Sequence, residues 1–373
     1  MRRVGGIMTN IKSYVKDYNY FINNVMTAYL NEHNNENIVF SPFSILMLLS
    51  IAADMTSGKT HDEIVSVLSH EMEYENIRDL LCEIQELISN DSAASSANAL
   101  YIKEEIAKRI DEKFINYIDN KYGCKYFESI GKDFISDINK WVKDNTHGMI
   151  DSIADDSMKD ALLCLMNAVS FESEWQEKYE EDEIFEEPFI SIDGVEKEIE
   201  MLHSDEPWYI ETEDLKGFVK PYKKSKYSFM ALLPNDDSDK ALYEISRNCN
   251  YTELFNNRTD REVYAIMPEF DVEIDTELKP MLESFGIKEL FSEKADFSPL
   301  TTEWIKAESV KHKAHIEVNR KGTKASAVSA MVAVVGCAGI MMKPFVELTR
   351  PFMYAVVHND TGLPIFVGAI NKL

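Results

Sequence analysis

Residues 319–343 read NRKGTKASAVSAMVAVVGCAGIMMK, and no charge occurs between Lys324 and Lys343. On a period of two, Thr323, Ala325, Ala327, Ser329, Met331, Ala333 and Val335 fall on one side, all small or apolar, and Lys324 falls on the other. That is the pattern of an extended segment buried on one face. The segment lacks the large residues that anchor a resident core strand, and small side chains suit one that slides between strands already formed. Two other readings compete. A membrane-spanning helix has enough length, but its Ser and Gly content leaves it weakly hydrophobic and it lacks an aromatic belt. An ordinary buried strand pair would turn at Gly336 to Gly339.

The flanks bear on this choice. Upstream, Val310, His312, Ala314, Ile316 and Val318 alternate with Lys311, Lys313, His315, Glu317 and Asn319, as in a strand of a half-covered sheet. Downstream, Arg350 to Val357, Thr361-Gly362 and Ile365 to Gly368 read as strand, tight turn and strand.

The 373 residues contain 39 Lys plus Arg against 65 Asp plus Glu, a net charge of −26. A field of that sign repels nucleic acid and anionic membranes and favours solubility. Hydrophobic content is near the globular average, so a sizeable core is available in a chain long enough for one very large domain or two ordinary ones, and no linker, repeat or low-complexity stretch divides it. Cys82, Cys124, Cys164, Cys249 and Cys337 follow no metal or redox spacing, and their odd number excludes complete internal pairing. No hydrophobic signal core follows Arg2 and Arg3, so either export does not use that route or the signal lies outside this sequence.

Along the chain, apolar residues from Ile11 to Leu30 recur at helical spacing. Asn37 to Ile45 reads as a short strand ending at Ser41-Pro42, then an apolar helix to about Ala53, so Ser41 and Ser44 enter a core and need partners. Thr60 and Glu63 suggest a capping box. Glu75 to Leu87 predicts an acidic amphipathic helix with Arg78 its only base. Ala97 to Ile102 predicts a strand, Ile138 to Val142 lies in a helix with Trp141 inward, and Gly148 stops it. The apolar run Ala161 to Phe171 predicts a buried strand in which Asn167 needs partners. Pro221-Tyr222 and Phe229 to Pro234 predict a hairpin, Val263 to Ile274 a strand around Pro268, and Leu278 to Phe291 a helix interrupted at Gly286.

Nucleophile-elbow, dinucleotide and phosphate-loop motifs are absent, so no catalysis by this chain is expected. His312, His315 and Glu317 resemble a metal set, but on a strand His312 and His315 face opposite ways. No metal or cofactor is expected.

Taken together, His312-Lys313-Ala314, Gly322-Thr323 with the small residues after it, Arg350-Pro351-Phe352, Thr361-Gly362 to Gly368, and Asn37 to Ile45 with Ser41 and Ser44 occur in the order of the serpin family, and the chain resembles that family over nearly its whole length. The resemblance implies a single domain over 1–373 with an α+β fold of three sheets and about eight or nine helices, and an exposed reactive-centre loop at about 320–344 within it. It implies a hinge at Gly322, Thr323, Lys324, Ala325, Ser326, Ala327, Val328 and Ser329. It places Ser41, Ser44, Asn167, His312 and Trp175 where the main sheet opens, a sheet that should include 97–102, 161–171 and 309–319.

The implied function is inhibition by suicide: a serine protease cuts the loop, and insertion of the cut loop traps the acyl-enzyme. The alternative is a non-inhibitory relative acting as chaperone, carrier or storage protein. The hinge favours inhibition, because it has no Pro and its one charge, Lys324, faces outward. Counting forward from Gly322 at the usual family spacing puts the cut at Gly336-Cys337. Counting back from Arg350 puts it at Ile340-Met341, so the range runs over Val335, Ala338, Gly339 and Ile340. No Arg, Lys or aromatic lies there, which points to elastase-like or subtilisin-like proteases. The acidic helix argues against heparin. The expected partner is thus a protease preferring small or aliphatic residues, with no nucleic acid, membrane or heparin, and the chain is expected to be a monomer. The family leans to an extracellular location. Serpins commonly carry an acid at the position of Arg320 and a base at that of Glu269. The double reversal predicts an Arg320–Glu269 pair with its charges exchanged.

Overall fold

The apolar run after Ala161 forms the strand Leu163–Phe171, every residue of it buried. The computed structural model describes residues 2–32, 35–89, 93–128, 133–238, 240–323 and 343–373. Nearly all of the inferred loop therefore lies outside the described residues: Lys324 to Ser329 of the hinge and every candidate scissile residue from Val335 to Met341. Among the described residues there are three sheets and ten α-helical segments. Contacts group into two units.

The first unit comprises Met1–Phe21, Phe40–Ser170 and Glu273–His315. Here the strands of the largest sheet run in the order Cys124–Glu128, Ala94–Ile102, Leu163–Phe171, Ser309–Asn319. The last two pair directly and in parallel, from Ser309 opposite Cys164 to His315 opposite Ser170. The helix Phe134–Asn145 and the segment after it pack on this sheet through Ile138, Val142, Ile150, Ile153 and Met158 against Ala97, Ala99, Tyr101, Met166 and Ala168. Trp141 is only partly buried there and meets Phe127 edge-on. The helix Pro42–Asp54 is buried on every side over Pro42 to Ala53, and Pro42 suits its first turn, where an N–H has no helical acceptor.

One local expectation fails. Thr60 and Glu63 do not start a helix; they lie inside Gly58–Leu68. Their side chains instead accept N–H groups of another segment, Thr60 from Asp296 and Glu63 from Lys288 and Glu289. The motif's acceptors are spent on a neighbouring backbone that has unpaired donors of its own.

The second unit comprises Ile22–Val39, Phe171–Val272 and Ile316–Leu373. A six-stranded sheet contains the hairpin Leu215–Pro221 and Tyr227–Pro234 and the C-terminal pair Phe352–His358 and Pro364–Ile370. A four-stranded sheet runs in the order Phe345–Glu347, Val263–Pro268, Glu196–Glu206, Ile184–Ile190. Finally, Gly322–Thr323 turns back on its own chain, with Val318 opposite Thr323, and pairs on its other side with Ser173–Glu174.

Candidate functional site

In the first unit, a neutral hydrogen-bond chain secures the pairing of 163–171 with 309–315. Pro42 cannot donate, so the turn before it offers the N–H of Ser41, which His312 Nε2 accepts at 3.2 Å. That bond leaves Nε2 unprotonated and puts the ring proton on Nδ1, which lies 3.1 Å from Asn167 Oδ1 and donates to it. The Asn167 amide then donates to Ser96 Oγ at 3.2 Å and to Asn98 Oδ1 at 3.0 Å. Asn98 in turn donates to the Tyr122 carbonyl at 3.3 Å. Ser41 Oγ accepts the N–H of Ser44 and so caps the helix. The Ser44 hydroxyl has no partner among the described residues. His312 is fully buried, and burial pushes its pKa down to about 3. A second ring proton would also face the Ser41 N–H, donor against donor. His312 is thus a neutral connector with both nitrogens occupied by Ser41 and Asn167, not a metal ligand. Among the described residues, no group of three His, Cys, Asp or Glu is placed to hold a metal.

Trp175 does not join this chain. It belongs to the second unit, where it grips the residues that lead into the loop. Its indole N–H donates to the Asn319 carbonyl at 2.8 Å, and its backbone N–H to the Lys321 carbonyl at 3.1 Å. The Tyr179 N–H donates to the Arg320 carbonyl at 3.0 Å. Trp175 stacks on Tyr222 at 4.6 Å, and the Tyr222 hydroxyl bonds Thr323 Oγ1 at 2.8 Å. Thr323 is fully buried. Gly322 must be glycine, because a Cβ there would lie 2.3 Å from the Ser173 carbonyl oxygen. Close approach of two backbones is therefore what fixes glycine at this position.

Arg320 meets Glu269 in a two-pronged pair, Nε to Oε1 at 3.0 Å and Nη2 to Oε2 at 3.0 Å. Two features go beyond a simple pair. Glu269 Oε1 also accepts the backbone N–H of Arg320 at 2.7 Å. Glu200 lies 2.7 Å from Nη2 and Glu181 3.7 Å from Nη1, so three carboxylates surround one guanidinium. The bonds to Glu269 come first in raising the Arg320 pKa further above its ordinary value.

Sequence reasoning missed the buried pair beside this site. Lys220 Nζ lies 2.6 Å from Glu206 Oε1, with both side chains at most 4% exposed. The ammonium also sits 4.4 Å from the centroid of the Tyr179 ring. Ser204 donates to the same carboxylate at 2.6 Å. The available signal was a lysine next to Pro221 in the otherwise apolar stretch Gly217 to Tyr222. Alternation could not assign it a face, because Gly217, Phe218, Val219 and Lys220 are all buried.

Residues 16–373 match the family model described as "Serpin (serine protease inhibitor)". The chain belongs to the serpin family. Of its relatives, intracellular coagulation inhibitor 2 of Tachypleus tridentatus is 28% identical over 98% of this chain and 91% of its own. Leukocyte elastase inhibitor A of Rattus norvegicus is 28% identical over 90% of this chain and 92% of its own. The native-state crystal structure of the thermophilic serpin tengpin superposes with a TM-score of 0.85 at 31% identity, covering 96% of this chain and 94% of that one. This serpin is therefore not an enzyme, and its fold is the one on which serpins build inhibition by conformational change.

Proposed function

We propose that this serpin is a single-domain, monomeric inhibitor that acts as a suicide substrate for serine proteases preferring small or aliphatic residues. The observation that carries this reading is the contrast along one strand. Its stretch 309–315 is paired directly with 164–170, so no strand lies between them. Its end at 318–319 already pairs with the first two hinge residues. The hinge thus begins as a sheet strand, and the small residues that follow can extend it by displacing the 309–315 ladder.

The chemistry belongs to the protease. Its serine oxygen attacks the scissile carbonyl near Gly336-Cys337, within 335–341. The peptide C–N bond breaks, the new amine leaves with the proton, and an ester joins the loop to the enzyme. Insertion of 324–335 then carries the ester away before water reaches it. The side chains available for the protease pocket are small or aliphatic, in keeping with the elastase named in one relative's description. Heparin activation is not part of the proposal. Helix Tyr74–Ser89 carries one base, Arg78, and that side chain is only 24% exposed with its guanidinium 3.6 Å from Asp54. An extracellular setting accords with such targets.

Incubation with leukocyte elastase and with subtilisin, followed by denaturing electrophoresis, tests the reading. A band larger than either partner is expected, with a released C-terminal peptide beginning within 336–341. Cleavage without that band would instead favour a non-inhibitory role.

A further inference from the structure

At one edge of the six-stranded sheet, the paired strands Trp208–Glu211 and Leu215–Pro221 and two short helices, Ala241–Ser246 and Tyr251–Asn256, enclose a cavity of about 510 Å³. Small-molecule sites span roughly 300–1,000 Å³. The floor of this one is apolar. Ile210 and Leu215 from the strands, and Cys249 from the connection between the helices, are each at most 4% exposed. Burial pushes the pKa of the Cys249 thiol up to about 12, so the floor carries no charge. Ile245 and Leu254, half-buried, extend the apolar surface along the two helices.

The rim is acidic. Glu211, Asp214, Glu244 and Glu253 line the cavity and are exposed, two from the strand side and two from the helices. No lysine, arginine or histidine lines it, and none of the four is in an ion pair among the described residues. Glu253 accepts the Asn250 amide at 2.9 Å, a neutral donor. The side chains of Asp214 and Glu244 make no hydrogen bond among the described residues.

Floor and rim select different parts of one molecule. An apolar floor gives a hydrated metal ion nothing in return for its lost water, but it holds a hydrocarbon or aromatic body that water expels. A rim of one sign on low-dielectric walls concentrates the opposite charge at the mouth. We propose that the cavity binds a small organic amine, its apolar body on Ile210 and Leu215 and its ammonium among Asp214, Glu244 and Glu253. The site shares no residue with the hinge and does not depend on the inhibitory reading.

Calorimetry on the full chain with three indoles tests this: tryptamine, a cation; tryptophol, neutral; and indole-3-propionate, an anion. Tryptamine should saturate one site per chain and bind about tenfold more tightly than tryptophol, with indole-3-propionate the weakest. Raising salt should weaken tryptamine and leave tryptophol unchanged. Asp214→Asn with Glu244→Gln should bring tryptamine down to about the tryptophol affinity without lowering the melting temperature, because neither side chain supports a neighbour. Ile245→Ser should weaken both ligands alike. Three results would each overturn the proposal. One is no saturable binding of tryptamine up to millimolar concentration. Another is equal affinity for tryptamine and tryptophol. The third is unchanged tryptamine binding by the Asp214→Asn, Glu244→Gln variant, which would assign the heat to acidic surface elsewhere.

Discussion

Two regions restrain the same strand by opposite means. Around His312 the restraint is neutral and buried except at Ser96: an imidazole, two carboxamides and two serines pass hydrogen bonds in one direction from Ser41 to Tyr122. Around Arg320 it is charged and partly wet, with three carboxylates about one guanidinium and the buried Lys220–Glu206 pair beside it. A buried neutral network is insensitive to salt but fails if a single member is lost or charged, since each orphaned group keeps its desolvation penalty. An ion cluster at a partly exposed site tolerates loss and responds to salt. The difference suits the proposed inhibitory function, under which the hinge would stay adjustable where insertion starts and the ladder would stay closed until the loop is cut.

The largest expected effect tests whether the hinge side has any rigid component. Lys220→Met leaves Glu206 buried without its cation and should cost about 3–5 kcal/mol in urea unfolding. Lys220→Met with Glu206→Leu should recover most of it. A single variant as stable as the parent would show that the pair does not support the hinge. On the neutral side, Asn167→Ala orphans the His312 Nδ1–H and the Asn98 carbonyl oxygen and should cost about 2–4 kcal/mol. A loss at the level of a surface substitution would mean the bond chain does not hold the ladder.

Next in size is the pH dependence. The folded His312 pKa, about 3, lies below its ordinary value. Between the two, the unfolded chain binds a proton that the native chain does not. Stability is therefore full above about pH 6.5 and falls as pH drops, by about 1.4 kcal/mol per unit, or about 2 kcal/mol by pH 5. His312→Gln should lose that component of the slope, read as the difference between parent and variant unfolding curves. Parallel curves would contradict the neutral-connector role.

The smallest effect belongs to Arg320 and Glu269, about 0.2–1 kcal/mol and weaker at high salt. Arg320→Glu and Glu269→Lys should each raise polymerisation on mild heating. From sequence alone the swapped double would restore the parent rate. The structure makes that restoration incomplete, because a lysine at 269 cannot accept the Arg320 N–H and a glutamate at 320 would face Glu200 and Glu181. Full additivity of the two singles would mean the residues do not interact.

What was legible in the sequence follows from what one chain segment can reveal. Alternation in 309–319 and the unbroken apolar run before Phe171 mark strands, because side-chain period depends only on the local backbone. Ser41, Asn167 and His312 were conspicuous as polar groups in apolar surroundings. Their partners Ser96 and Asn98 were not, since a small polar residue in a strand looks ordinary until its neighbour is known. Lys220 escaped for a different reason: both faces of its surroundings are buried, so periodicity carries no information there, while Glu206 closes a strand rich in acidic residues that does not single it out. The three carboxylates around Arg320 come from three separate segments, and only Glu269 could be paired through family order.

The most direct test is a removable cross-link over the ladder. Ala168 lies opposite Lys313, and paired strands at about 4.8 Å admit a disulfide. Ala168→Cys with Lys313→Cys should, when reduced, trap leukocyte elastase as a covalent complex. When oxidised, the same molecule should be cut as a plain substrate with no complex, because the loop has nowhere to insert. Equal complex formation in both redox states would contradict the claim that inhibition proceeds by opening this seam.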